Sequence, residues 1–195
     1  MFDLSDKRSK RRKTIMGYAQ MDAQHGVLLA AMDFEWTCRR AILALSKTPT
    51  VMIYDKFIKD YVAFNGLLEA WKAEVLPSVD GAVNLPDLLK KKLAWSWVCD
   101  AMMCRNVIVH GTESRVSNSE CRWAVLVLEK ACDVIASYVA ECGKDIFVRI
   151  SRPRSRKKLA EVTDGGKKMI AWRARVGQLI AKFGEGHWIK TGEVL

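Results

Sequence analysis

A long apolar helical pattern ends in the sequence Arg105-Asn106-Val107-Ile108-Val109-His110-Gly111. Arginine can hold a phosphate through two parallel hydrogen bonds, and histidine exchanges protons readily near neutral pH. Glycine adopts the left-handed conformation that often follows the last turn of a helix, so Gly111 predicts a helix C-cap. The stretch therefore predicts a helix that presents an arginine, an asparagine and an imidazole near its carboxyl-terminal end.

The helix that carries this stretch is predicted to begin far upstream. Asn84 is a good N-cap, and Pro86 suits the first turn, where a missing N–H costs nothing. From there one apolar face is predicted to run without a break into the motif. Its residues are Leu85, Leu89, Leu93, Trp97, Ala101, Cys104 and Ile108.

Three further helices are predicted around it. The first covers residues 14–46, and the second follows Thr48-Pro49 and runs to about Leu76. After Gly111, Ser117 and Glu120 have the spacing of a capping box and open the fourth. Amphipathic helices with short polar connections predict an all-α bundle.

Positive charge is concentrated at the two ends of the 195-residue chain, whose net charge is +10. Residues 1–13 carry six Lys/Arg and two acids, and residues 143–195 carry thirteen Lys/Arg and five acids. The region between them is slightly acidic, at −2. Dense like charges repel, so residues 1–13 are predicted to form a disordered basic arm. Basic ends attract polyanions, and nucleic acid is the commonest.

The motif resembles the signature of the HEPN superfamily, an arginine separated from a histidine by four to six residues. Here the spacing is four, Asn106 stands where a polar residue often follows the arginine, and His110-Gly111 resembles the usual ending. The segment Asp33–Leu43 resembles the first helix of many bacterial members. The resemblance covers about residues 20–150. It implies a HEPN-like bundle of four to five helices, here with basic N- and C-terminal extensions.

The resemblance also implies an activity, which is metal-independent RNA cleavage by a toxin or defence effector. An imidazole can move the proton of the attacking 2′-hydroxyl or of the leaving 5′-oxygen, and an arginine can stabilise the charge on the phosphate. The predicted catalytic residues are Arg105, His110 and Asn106, with Asn106 orienting the imidazole or bonding the substrate. Predicted partners are RNA and a cognate inhibitor or antitoxin protein, and no metal or other cofactor is expected.

The three domains predicted from composition and periodicity are the arm at residues 1–13, the helical domain at 14–150 and a basic extension with a short helix at 151–195. RNA binding is assigned to five residues of that extension, which are Arg152, Arg154, Arg156, Lys157 and Lys158.

An ideal helix places Arg105 and His110 about 140° apart, because each residue turns about 100°. One chain would then struggle to present both to one phosphate. Members of the HEPN superfamily typically pair their motifs across a dimer, so we expect a homodimer with facing motif helices. The apolar residues Val107, Ile108 and Val109 exceed what one face can bury and could supply the interface.

Other interpretations remain open at the level of sequence. Arg105 could pair with an acid such as Asp100 while His110 caps the helix, which would make the motif structural. The domain could be a non-catalytic HEPN module that dimerises and binds nucleic acid or a protein through its basic ends, or an accessory subunit of a larger defence complex.

Glu35 and Arg39 have the spacing of a surface ion pair on the first helix.

The six cysteines lack the Cys-x-x-Cys spacing of metal sites, so reduced, buried thiols in a cytoplasmic protein are expected. No apolar run reaches the ~18 to 20 residues needed to cross a bilayer, and the charged N-terminus lacks the pattern of a secretory signal.

Overall fold

The computed structural model describes residues 7–59, 63–111 and 116–147. These residues form helices joined by short turns, with no strand among them, so the all-α prediction is confirmed for this part of the chain. The chain divides into two compact units, residues 1–151 and 152–195. All described residues belong to the first, and the predicted C-terminal helix lies outside them.

The N-terminal basic segment is helical where the structure describes it. Helix α1 spans Arg8–Met21, so the prediction of a disordered arm is wrong for residues 8–13. The error has a physical cause, since Arg8, Arg11 and Arg12 form ion pairs with acids from distant parts of the sequence. Arg11 is 1% exposed, and its guanidinium binds the buried carboxylate of Asp33.

The predicted helix over residues 14–46 is two antiparallel helices, because α2 spans Ala23–Leu45 and α1 ends before Asp22. The Asp22 side chain caps α2 by accepting a bond of 3.1 Å from the His25 N–H. Gly26 allows the two helices to approach closely. A β-carbon placed there would lie 2.7 Å from the Ala19 α-carbon, so a larger residue would force the helices apart.

The predicted second helix is described in two parts, α3 before and α4 after residues 60–62, which lie outside the described residues. The two parts span Thr50–Lys59 and Ala63–Ala70, and α4 continues as a π-helical turn over Trp71–Val75. The buried Trp71 indole donates a bond of 3.0 Å to the Val83 carbonyl, which fixes the following turn.

The predicted long third helix is also two helices. Helix α5 spans Leu85–Lys90 with the expected Asn84 cap, and α6 spans Trp95–His110 after a turn. This break changes which residues face the core. Trp97, predicted to be buried, is 50% exposed.

Helix α7 spans Asn118–Glu141 and begins with the predicted capping box. It packs along α2 and α6, and the buried side chains between these helices include Phe34, Ile42, Leu128 and Ile135. After α7, residues 146–147 lie in a turn, so the described part of the predicted strand or extension is irregular. Helix α6 is therefore held by the core on one side, with its motif end at the surface.

An ion-pair network joins α1 to α2 and α7. Arg8 donates to Asp33 at 3.2 Å, to the Glu129 carboxylate at 2.7 Å and to Asp133 at 3.1 Å. With Arg11 and Arg12, the described part of the network contains three arginines and three carboxylates, whose formal charges cancel.

Candidate functional site

The motif residues occupy the last turns of α6. Gly111 adopts φ 59° and ψ 36°, the left-handed conformation that the sequence predicted, and its N–H bonds the Val107 carbonyl at 3.1 Å. The helix therefore remains regular up to His110, and the two functional side chains start from opposite sides of it.

The Arg105 guanidinium turns back toward its neighbour. It donates a bond of 2.9 Å to the Asn106 side-chain carbonyl. Asn106 and His110 are four residues apart and share a face of the helix, about 40° from each other and about 6 Å along the axis. The bond to Asn106 thus brings the positive charge of Arg105 toward the helix face that bears His110. It reduces the separation of about 140° that an ideal helix imposes on the two side chains.

The structural role considered for Arg105 is not found among the described residues, whereas His110 lies in the last turn of α6, the position that a C-terminal cap requires. Arg105 makes no ion pair with Asp100 there, and its recorded hydrogen bond is the one to Asn106. His110 is exposed, and no contact of its ring with another described residue is recorded. Both side chains are thus available at the surface of this part of the chain.

The surface beside Arg105 and Asn106 is concave. We call it the motif cleft: it has a volume of about 610 Å³, and its α6 wall includes Cys99, Met103, Arg105 and Asn106. His110 follows Met103 by seven residues and therefore lies within about 20° of it on the helix. The imidazole consequently stands on the face that lines the cleft, one turn beyond its α6 wall.

The wall of the cleft opposite α6 was not predicted from the sequence. Glu35 and Arg39 line the cleft from α2, and Phe64 and Asn65 line it from α4. The expected Glu35–Arg39 ion pair is absent among the described residues, although the spacing correctly places both on one face. Only the packing of α2 beside α6 reveals that this face meets the motif, so no local signal in the sequence could have found it.

The two basic ends, predicted to attract nucleic acid, differ in what the structure describes of them. The five basic residues from Arg152 to Lys158 lie outside the described part of the chain. At the other end, Arg8, Arg11 and Arg12 hold carboxylates in the ion-pair network. Much of the positive charge at the N-terminus is therefore bound within the protein.

The thiols of Cys99 and Cys104, on the motif helix, both have raised pKa values. Burial and, to a smaller extent, the neighbouring Cys121 thiol raise the pKa of Cys104 to about 12. Cys99 lines the cleft, but burial and the charge of Asp100 raise its pKa above the ordinary value, which disfavours the nucleophilic thiolate. Among the described residues, no group of three or more His, Cys, Asp or Glu could hold a metal ion.

Comparisons with known proteins place no relative beside this chain, because no family model, no curated protein and no solved structure matches it. None of the described helices is both long and apolar enough to cross a membrane.

Proposed function

We propose that this protein is a metal-independent endoribonuclease of HEPN type, acting as a toxin or defence effector. The observation that carries the proposal is the 2.9 Å bond from Arg105 to Asn106, on the helix face that also bears the exposed His110. It supports a site in which a guanidinium and an imidazole reach one substrate beside an open cleft.

Each group has a task in this proposal. His110 accepts the proton of the 2′-hydroxyl or supplies one to the departing 5′-oxygen, a contribution of about 10²–10⁴-fold. Arg105 donates charge-assisted bonds to the phosphate oxygens as negative charge builds on them. Asn106 holds the Arg105 guanidinium in position, and its amide N–H₂ group remains available to the substrate.

A homodimer is part of the proposal. Three large apolar side chains of α6, Trp97, Met103 and Val109, are 50%, 61% and 48% exposed in the single chain. Trp123 and Leu126 of α7 add to the exposed apolar surface, at 38% and 55%. A dimer would cover part of this apolar surface, and a two-fold axis would bring two copies of the motif helix together. Light scattering should then report twice the chain mass of 22.1 kDa.

A non-catalytic dimerisation module that binds nucleic acid or a protein is the second candidate. The same exposed apolar residues favour it, since association requires no chemistry. Cleavage separates the two candidates. The module would bind RNA or a protein partner but leave the RNA intact. Because both candidates are proposed to form dimers, the oligomeric state does not distinguish them.

The test is incubation of the purified full chain with RNA in EDTA. The proposal predicts cleavage products that end in a 2′,3′-cyclic phosphate, because the 2′-oxygen is the nucleophile. DNA of the same sequence should survive, since it lacks that hydroxyl. Activity that disappears on chelation and returns with Mg²⁺ would refute this mechanism, and intact RNA under all conditions would favour the binding module.

A further inference from the structure

The motif cleft contains more positive than negative charge. Arg39 and Arg105 enter it from different helices, and Glu35 is the one acid among its lining residues. None of the three forms an ion pair with another described residue, in contrast to the arginines of the ion-pair network. A monoanionic group in the cleft would bring the sum of these charges to zero.

Arg39 is held in place without being neutralised. Its guanidinium carbon lies 5.8 Å from the centre of the Phe57 ring, a contact that restricts the side chain, and Arg39 forms no ion pair with the described part of the chain. Its Nε–H is buried and has no hydrogen-bond partner among the described residues. A buried donor without a partner is costly, and an incoming acceptor that draws the guanidinium outward would relieve that cost.

The rest of the cleft suits a nucleotide. Its volume of about 610 Å³ lies in the ordinary range for small-ligand sites, ~300–1,000 Å³. Phe64 is stacked on Trp95 with ring centres 5.5 Å apart, which makes this wall rigid and apolar. The amides of Asn65 and Asn106 supply donors and acceptors of the kind that base edges and sugar hydroxyls use.

We propose that Arg39 and Arg105 together bind one phosphodiester of single-stranded RNA in the motif cleft. Guanidinium groups from two helices would approach the phosphate from two sides, and the adjoining nucleotide would lie against the Phe64 wall. A duplex keeps its bases stacked and cannot place a nucleotide inside the cleft. The choice of RNA rests on the proposed function, whereas the pairing of the two arginines rests on the cleft alone.

The experiment measures binding separately from cleavage. A fluorescent single-stranded 2′-O-methyl RNA, which lacks the attacking hydroxyl, is titrated with the full chain and followed by anisotropy. Arg39→Gln and Arg105→Gln should each weaken binding about 10-fold, the size expected from the loss of about 1.4 kcal/mol of charged hydrogen bonding. The double variant should lose clearly less than the product of the two single losses, because the arginines share one phosphate.

Two further variants control the test. Arg122→Gln removes an equal charge from α7, where the Arg122 guanidinium is 3.4 Å from the Ala19 carbonyl, and should leave affinity within about 2-fold. Arg39→Lys keeps the charge and should recover part of the lost binding, provided that far-ultraviolet circular dichroism shows the same helical content. This variant distinguishes loss of a phosphate contact from loss of the fold.

Several results would overturn the proposal. One is an Arg39→Gln affinity for the single strand equal to that of the wild type. Another is a loss of affinity in the double variant equal to the product of the two single losses. The third is a 2′-O-methyl duplex that binds as tightly as the single strand. Cleavage of unmodified RNA is scored separately. If the wild type and variants bind as predicted but the wild type never cleaves RNA, the two-arginine site stands and the proposed function is refuted. If the wild type cleaves RNA but Arg39→Gln binds as tightly as the wild type, the proposed function stands and the two-arginine site is refuted.

Discussion

Arginines have opposite surroundings in the ion-pair network and in the motif cleft. In the network, Arg8 and Arg11 form ion pairs with the buried carboxylates of Asp33 and Glu129, although the Arg8 Nε–H has no hydrogen-bond partner among the described residues. In the cleft, Arg39 and Arg105 stand beside open space with no acid bound among the described residues. Residue type alone does not distinguish the two regions. What distinguishes them is whether each arginine forms an ion pair with a described acid. This difference predicts that the network stabilises the fold and that the cleft can bind a ligand.

The largest effect should follow from breaking the network at Asp33. Asp33→Asn removes the carboxylate that both Arg8 and Arg11 contact, so two described carboxylates remain beside the three arginines of the network. We expect the free energy of unfolding in urea to fall by about 3–5 kcal/mol. Asp100→Asn is the control, since Asp100 is exposed on α6, and it should change stability by no more than about 0.5 kcal/mol. Equal effects of the two variants would contradict the structural role of the network.

A smaller loss is expected at Glu74, a paired carboxylate outside both regions. Burial alone would raise the pKa of Glu74, but bonds from Lys56, Thr48 and Ser46 outweigh it and lower the pKa below its ordinary value. The Lys56 ammonium lies 2.7 Å away. Glu74→Gln should therefore cost about 1–3 kcal/mol at pH 7.

The pH dependence of that loss follows from the direction of the shift. A lowered pKa means that the unfolded chain takes up the proton first, so the stabilisation is complete above the ordinary pKa of about 4.3 and disappears as the pH falls through the lower folded value. Unfolding curves of the wild type and Glu74→Gln should converge as the solution is acidified below pH ~4. A gap that stays constant with pH would show that the carboxylate charge is irrelevant.

The smallest effect on stability should come from the cleft itself. Arg105→Gln removes an exposed side-chain hydrogen bond to Asn106, so the free energy of unfolding should change by no more than about 0.5 kcal/mol. A loss comparable to that of Asp33→Asn would place Arg105 among the residues that hold the fold together and would remove the contrast between the two regions.

The sequence predicted the features that depend on a few neighbouring residues. Asn84, Gly111 and the Ser117–Glu120 box act through bonds within three or four positions, and each is found as expected. Arg8 is different, because its partner Glu129 is 121 residues away. No local pattern shows such a contact, so a structured helix was mistaken for a disordered arm.

The candidate site divides in the same way. Arg105, Asn106 and His110 were found through their spacing, and their positions on α6 follow from helical geometry. Glu35 and Arg39 could be placed on one face of their helix but not against the motif, since that depends on how α2 packs beside α6. The breaks at Asp22 and at residues 91–94 also escaped prediction, because the apolar periodicity continues through them.

The most direct test of the proposed site compares two exposed histidines of the same chain. His110 lies on the face that lines the motif cleft, whereas His25 lies in the first turn of α2 and is stacked on Tyr18 with ring centres 4.6 Å apart. Cleavage of one RNA at saturating concentration is measured in EDTA for the wild type, His110→Ala and His25→Ala. The proposed role of His110 predicts a rate at least ~100-fold lower for His110→Ala, with unchanged helical content, and a wild-type rate for His25→Ala. A His110→Ala protein that cleaves RNA as fast as the wild type would contradict it.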